Sequence, residues 1–124
     1  MHITRFQDLR VYAATFELQQ RLFEVTKSWP REETYALISQ IRRSSRAVGA
    51  NLAEGWAKRK YPAHFCAKLT DADGELQETL HWLATSHECA YLDDAEVRYF
   101  SERYQEAGRM LGTMMADPRK FCLR

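Results

Sequence analysis

Hydrophobic residues recur every three or four positions through most of this chain, which is the spacing of an amphipathic α-helix. No segment sustains the strict alternation of a β-strand. Prolines 30, 62 and 118 and the segment 90–94 separate the periodic stretches. The pattern therefore predicts four helices, over about residues 8–28, 31–57, 62–88 and 93–115, followed by a short, frayed tail over 117–124.

The first predicted helix has a wider apolar face than a single seam requires. One stripe consists of Val11, Thr15, Leu18, Leu22, Val25 and Trp29, and a second of Leu9, Tyr12, Phe16 and Phe23. Such a face predicts contacts with more than one neighbouring helix. We expect Asp8, or a capping box of Thr4 and Gln7, to begin this helix.

Each of the other three predicted helices has one apolar seam. The seams consist of Ile38, Ile41, Ser45, Val48 and Leu52; of Phe65, Leu69, Ala72, Leu76, Leu80 and Leu83; and of Val97, Phe100, Tyr104, Ala107, Leu111 and Met114. We expect the second helix to begin near Pro30, with Glu32 and Glu33 at the positive end of its dipole. Helices of similar length joined by short connections predict one all-α domain over residues 1–124, an antiparallel up-down-up-down four-helix bundle.

Composition narrows the class of protein. With 124 residues, 45% of them hydrophobic and 28% charged, the chain is typical of a soluble globular domain and not of a disordered one. Its apolar runs are too short to span a bilayer, and its first residues carry charges where an export signal has an apolar core. Cys66, Cys89 and Cys122 are odd in number and lack a CxxC pair, which favours free thiols in a reducing cytoplasm. We therefore expect a cytoplasmic protein without membrane association.

The net charge of +1 conceals an uneven distribution along the chain. Residues 41–60 contain six basic side chains and one acidic side chain, whereas residues 71–106 contain ten acidic and two basic side chains. Such an imbalance is typical of proteins that bind a polyanion, but it also occurs where two faces neutralise each other between helices or subunits.

The basic residues of the second helix and the following loop are the candidates for nucleic-acid contact. They are Arg42, Arg43, Arg46, Lys58, Arg59 and Lys60, with Tyr35, Trp56 and Tyr61 nearby as aromatic rings on which bases can stack. The helical wheel places Arg43 opposite the core seam and Arg42 at its edge. The alternative is that Arg42 pairs with a carboxylate of another helix or subunit and that the other cations are only solvated.

Residue types for catalysis or metal binding are sparse. Asn51 and Glu54 lie one helical turn apart, but Glu54 has no partner acid, and no Ser–His or Cys–His pattern is present. We expect Asn51 to form a hydrogen bond between helices. The Glu-x-x-His spacing of a di-iron bundle occurs once, at Glu78 and His81, where a dinuclear site needs two copies. We therefore expect no enzyme, no metal and no cofactor, and we interpret Gly49 and Gly74 as sites of close helix packing.

Several motifs occur together in order. They are Phe6-x-Asp8-Leu9-x-Val11-Tyr12, Gln40-Ile41-Arg42-Arg43-Ser44-Ser45, Asn51-Leu52-Ala53-Glu54-Gly55, Phe65-x-x-x-Leu69 and Ala72-x-Gly74-x-Leu76-x-Glu78. Over residues 6–111 the chain resembles the bacterial four-helix-bundle proteins of the 23S ribosomal RNA intervening-sequence type. It departs from them by a longer loop before the third helix and by Glu75 where serine is usual.

This resemblance implies a homopentamer, often a ring with a central pore. It also implies kinship to the basic, nucleic-acid-binding accessory protein of diversity-generating retroelements. In addition to the arginines, the resemblance marks five motif positions as structural or interface residues. They are Gln40, Asn51, Glu54, Gly55 and Gly74. Our hypothesis is a non-enzymatic, oligomeric RNA- or DNA-binding accessory factor. The alternative is a scaffold that binds proteins and has no role with nucleic acid.

Overall fold

A computed structural model describes residues 3–123. The fold is all-α, with four α-helices and no strand in that range. The helices are α1 (Arg10–Thr26), α2 (Leu37–Ala57), α3 (Pro62–Glu88) and α4 (Asp94–Ala116). Three short 3₁₀ turns, Phe6–Asp8, Arg31–Glu33 and Pro118–Lys120, flank or connect them.

The apolar seams expected from the spacing form the core. All but six of the seam and stripe residues are buried on the inner faces of the helices; Val25, Leu80, Val97 and two residues of the second α1 stripe are partly buried, and Phe16 is 44% exposed. The second stripe of α1 is less buried than the first, since Tyr12 and Phe23 are also only half-buried. The wide face of α1 contacts both α2 and α4, as its two stripes predict.

α1 begins later than its sequence indicates. The expected cap at Asp8 or Thr4 is wrong, because Phe6–Asp8 forms a separate 3₁₀ turn and Leu9 is extended and buried before the helix starts at Arg10. The Asp8 carboxylate accepts hydrogen bonds from the backbone and side chain of Arg5, at 3.3 and 3.2 Å. Asp8 therefore closes the preceding turn and does not cap α1.

The start of α2 is also corrected, from residue 31 to Leu37. Glu32 and Glu33 lie in a 3₁₀ turn, where the hydroxyl of Thr34 donates to the carbonyl of Arg31 at 2.7 Å and competes with helical bonding. The Glu33 carboxylate accepts a hydrogen bond from the Tyr91 hydroxyl at 2.9 Å and so ties this turn to the connection between α3 and α4.

The C-terminal segment is ordered, against the expectation of a frayed tail. After the turn Pro118–Lys120, which contacts α3 and α4, the ring of Phe121 lies 6.2 Å from that of Phe65. The backbone N–H of Leu123 donates to the carbonyl of Arg59 at 3.2 Å. Residues 117–123 therefore fold back against the C-terminal end of α2, and residue 124 lies outside the described residues.

Glycines permit the close approach of helices at Gly49, as expected, and also at Gly55. A Cβ at Gly55 would lie 3.1 Å from Cβ of Lys68 on α3, and one at Gly49 would lie 3.3 Å from the Tyr12 ring on α1. The same expectation for Gly74 is wrong within the described chain, since no atom lies within 4 Å of its Cβ position. A groove lies between α1 and α4, lined by residues of both helices.

Candidate nucleic-acid interface

The six candidate cations do not form one patch. Arg42 and Arg46 lie beside α1, Arg43 faces α3, and the other three residues follow at the C-terminal end of α2. Arg42 and Lys58 are sixteen residues apart, which is roughly 24 Å along the helix at about 1.5 Å per residue. The cations therefore lie in different surroundings.

Arg42 is half-buried against the last turn of α1. Its Nε donates to Oγ1 of Thr26 at 2.9 Å, and Nη2 donates to the carbonyl of Phe23 at 3.4 Å. The guanidinium also lies 4.7 Å from the centre of the Phe23 ring. The partners of Arg42 are a hydroxyl, a carbonyl and an aromatic ring. Within the described residues it does not pair with a carboxylate of another helix, which was the alternative that we considered. Arg42 stabilises the C-terminus of α1, where cations are favourable.

Arg43 is neutralised by α3. Nη1 lies 3.1 Å from a carboxylate oxygen of Glu75, and Nη2 donates to Glu78. Partial burial acts to lower the pKa of Arg43, but the two carboxylates together raise it above its ordinary value. Glu78 also accepts a hydrogen bond from the indole of Trp82 at 3.2 Å, which fixes the carboxylate in place. Arg43 is exposed, as expected, but its pairing with two carboxylates corrects the expectation that it is free to meet a partner.

Arg46 is exposed, and among the described residues it has no carboxylate partner. Its guanidinium lies 5.4 Å from the centre of the Phe23 ring, and Nζ of Lys27 lies 4.7 Å from the same centre. Together with Arg42, three cations surround this one ring. The arrangement concentrates positive charge where α1 and α2 meet.

Lys58, Arg59 and Lys60 lie at the C-terminal end of α2 without an ion pair in residues 3–123. The guanidinium of Arg59 lies 3.6 Å from the centre of the Trp56 ring, and its Nε donates to the Trp56 carbonyl at 2.8 Å. This stacking covers the indole, which is 7% exposed, so Trp56 is not free to stack on a base. Tyr61, 54% exposed beside Lys60, remains available for stacking, whereas Tyr35 lies in the turn before α2.

The folded tail adds two cations that sequence reasoning missed. Arg119 and Lys120 are both exposed on the turn Pro118–Lys120, and Lys120 lines the same cavity of about 650 Å³ as Arg59. In the sequence, the apolar residues Phe121 and Cys122, which follow Arg119 and Lys120, were the signal that the tail packs against the bundle. We call Lys58, Arg59, Lys60, Arg119 and Lys120 the end cluster.

Glu54 and Asn51 do not form a catalytic pair. The Glu54 carboxylate lies 2.6 Å from Nζ of Lys68, whose hydrogen bond and charge lower the pKa of Glu54 and make it a poor proton acceptor. The amide nitrogen of Asn51 donates to the carbonyl of Ala47 at 2.9 Å, within α2, where we expected a bond between helices. Gln40 is exposed near the start of α2.

Within residues 3–123 no group of three or more His, Cys, Asp or Glu side chains is placed to hold a metal ion. The three cysteines are free thiols. None of the four helices has a stretch long and apolar enough to cross a bilayer.

Comparison with known proteins assigns the chain to a family. The family model of the 23S rRNA-intervening sequence protein matches residues 7–113. The chain belongs to this family. The matched range includes Arg42, Arg43 and the three basic residues after α2, while the turn with Arg119 and Lys120 lies outside it.

A solved structure has the same fold. It is a protein of unknown function from the S23 ribosomal protein family of Bacteroides thetaiotaomicron VPI-5482, at a TM-score of 0.76 and 23% sequence identity. The match covers 86% of this chain and 95% of the other. No curated protein matches. For this member of the 23S rRNA-intervening sequence family, the comparisons therefore establish fold and kinship and leave its activity to be proposed.

Proposed function

We propose that this protein is a non-enzymatic, oligomeric accessory factor that binds RNA or DNA through the end cluster. The observation that carries the proposal is a set of five basic side chains brought together from two distant segments, none of them in an ion pair within the described residues. Phosphate binding requires accessible positive charge, and a nearby exposed ring such as Tyr61 adds a stacking surface.

The surroundings of the end cluster favour an anionic partner. Glu54, the carboxylate nearest to Lys58 along α2, is already bound to Lys68. Asp117 precedes the turn with Arg119 and Lys120 and is the one acidic residue of that segment. The positive charges therefore exceed the carboxylates that could neutralise them. The family name, which refers to an intervening sequence of 23S ribosomal RNA, supports RNA as the first nucleic acid to test.

We also propose an antiparallel bundle that assembles with copies of itself, as a pentamer. Tyr12 of α1 lies beside Gly49 while Phe23 lies beside Arg42, and Arg43 of α2 pairs with Glu75 while Glu54 pairs with Lys68. These contacts support helices that run in opposite directions. The groove between α1 and α4, with a volume of about 890 Å³ in its widest part, is the face that a second copy would cover.

The proposal is tested by the binding of a fluorescent single-stranded RNA in anisotropy titrations at roughly 50 mM salt. We expect saturable binding that weakens steeply as salt rises, and a loss of about 100-fold in Lys58→Glu/Lys60→Glu. The matched control is Arg98→Glu/Arg109→Glu, which changes the net charge equally on α4 and should retain binding. The same titrations with single-stranded DNA determine which nucleic acid is preferred.

Two outcomes would overturn the nucleic-acid role. One is the absence of binding to any RNA or DNA at low salt, and the other is an equal loss in both double variants. Either outcome leaves the alternative, a scaffold that binds proteins through its charged faces. Assembly is tested separately by light scattering, where we expect a species near five times 14.6 kDa, and a monomer would contradict the proposed oligomer.

A further inference from the structure

A cavity of about 430 Å³ opens at the turn between α1 and α2, near Ile38. Ile38 and Lys58 are twenty residues apart, so the cavity lies about 30 Å along α2 from the end cluster. The polar residues that line it are Thr26, Lys27, Trp29, Arg31, Thr34 and Arg42. We propose that this cavity, here called the turn cavity, is a binding site for a phosphate group.

The charge of the turn cavity fits a phosphate. Its lining contains three cations, Lys27, Arg31 and Arg42, and no carboxylate. Lys27 shares an exposed ion pair with Glu24 at 3.2 Å, so the group as a whole has a charge of +2, equal and opposite to that of a phosphate dianion. Glu32 and Glu33 follow Arg31 but do not line the cavity, and Glu33 already accepts the hydrogen bond of Tyr91.

Arg42 is held in position before any ligand binds. Its bonds to Thr26 and Phe23 use Nε and Nη2 and leave Nη1 without an acceptor in the described chain. Since a guanidinium has five N–H groups, a fixed Arg42 can still donate to a phosphate oxygen. The Arg31 side chain is exposed and has no hydrogen-bond or ion-pair partner among residues 3–123, so it is free to close over the ligand.

Two elements of the cavity lining, Trp29 and the first turn of α2, contain N–H groups that lack a hydrogen-bond partner within the described residues. The indole nitrogen of Trp29 is buried, and within the described residues it has no hydrogen-bond acceptor. The first turn of α2, where Ile38 lines the cavity, has no side-chain cap for its free N–H groups. Unpaired buried donors are costly, and an oxyanion is the kind of ligand that accepts from N–H groups and guanidinium together.

The test follows the indole N–H resonances of the three tryptophans by NMR. Inorganic phosphate replaces chloride at constant ionic strength. We expect a saturable shift of the Trp29 resonance and none at Trp82, whose indole is bonded to Glu78. Arg31→Gln should weaken phosphate binding about tenfold or more, because it removes a charge-assisted hydrogen bond. The matched control Arg98→Gln removes an exposed arginine that does not line the cavity and should bind as the unmodified chain does.

The site would be overturned if neither inorganic phosphate nor a 5′-phosphorylated RNA produced a saturable Trp29 shift, or if Arg31→Gln responded as the unmodified chain does. A short RNA with a 5′-phosphate, compared with its 5′-hydroxyl form, identifies the source of the phosphate. A shift with the phosphorylated form alone assigns the end of an RNA, and a shift with inorganic phosphate alone assigns a small ligand. The site does not depend on the end cluster, so Lys58→Glu/Lys60→Glu should bind inorganic phosphate unchanged.

Discussion

The arginines in the middle of α2 and the end cluster have the same charge but different surroundings. Arg42 bonds to Thr26 and Phe23 of α1, and Arg43 pairs with two glutamates of α3. In contrast, Lys58 and Lys60 are exposed and have no ion pair in the described chain. The same positive charge therefore contributes to the fold in one region and is available to nucleic acid in the other.

The difference arises from what faces each cation across the helix interface. Arg43 lies where α3 presents Glu75 and Glu78, one turn apart on one face. Glu75 is the position at which this chain differs from the serine that the resemblance leads us to expect. The end cluster lies beyond the acidic part of α3, beside a tail that brings more positive charge. The role of a cluster of basic residues in a sequence thus depends on which side chains the opposing helix presents to it.

The largest effect on stability is expected at Arg42. Arg42→Ala removes two hydrogen bonds and the contact with the Phe23 ring, and so should lower the free energy of unfolding by about 2 kcal/mol. Urea denaturation measures the change. Arg46→Ala is the control from the same helix face, with an expected effect within about 0.5 kcal/mol. Equal effects of the two variants would contradict the structural role of Arg42.

Phe121→Ala should loosen the tail. Because Phe121 is half-buried beside Phe65, we expect a loss of about 1–2 kcal/mol, less than for a fully buried phenylalanine. RNA affinity should fall about threefold, since Lys120 would no longer be held near Arg59. Leu123→Ala is the control, as its side chain is exposed and its backbone bond to Arg59 is retained. RNA binding that is unaffected by Phe121→Ala would remove the tail from the interface.

Arg43→Ala should have a smaller effect, about 0.5 kcal/mol, because its ion pairs with Glu75 and Glu78 are partly exposed to solvent. A double-mutant cycle with Glu78→Gln measures the coupling between the two side chains. We expect a positive coupling energy that decreases as salt increases. Additive effects of the two substitutions would indicate that the pair does not form in solution.

The smallest effect concerns Glu54. Its pKa lies below the ordinary value of 4.5 because of Lys68 and, to a lesser degree, Lys58. The stabilisation from this depressed pKa is complete above the ordinary value and is lost as the pH falls through the folded-state pKa. Lys68→Met should raise the midpoint of the Glu54 titration, measured by carboxyl NMR, toward the ordinary value. An unchanged midpoint would mean that Lys68 does not bind Glu54.

The helices and their buried faces could be predicted from the sequence, because the periodic spacing of apolar residues identifies the side chains that form the core. Ile41, Leu69 and Leu111, for example, are fully buried at the positions that the spacing predicts. The first residues of α1 and α2 were harder to predict, since Asp8 and Glu32 resemble residues at helix N-termini but lie in 3₁₀ turns instead. Asp8 bonds to the neighbouring Arg5, and the turn that contains Glu32 is held by a tertiary contact, the bond between Glu33 and Tyr91.

The candidate site could be predicted only in part, again because tertiary contacts decide which cations are free. The sequence identifies Lys58, Arg59 and Lys60 as basic, and the structure leaves their charges unpaired within the described residues. The neutralisation of Arg43 and the arrival of Lys120 beside Arg59 depend on the register of α3 and on the path of the tail. Neither is encoded by spacing within a single helix, so no pattern along α2 could have predicted them.

The central claim, that the end cluster and not Arg43 and Arg46 of α2 provides the main contact with nucleic acid, is tested most directly by two matched neutralisations. The salt dependence of RNA binding is measured for Lys58→Gln/Lys60→Gln and for Arg43→Gln/Arg46→Gln, which lose the same charge. The first should reduce the slope of log K against log salt by about 1.4, because each phosphate contact on a single strand contributes about 0.7. The second should leave the slope unchanged. The opposite order, with the larger reduction for Arg43→Gln/Arg46→Gln, would contradict the claim.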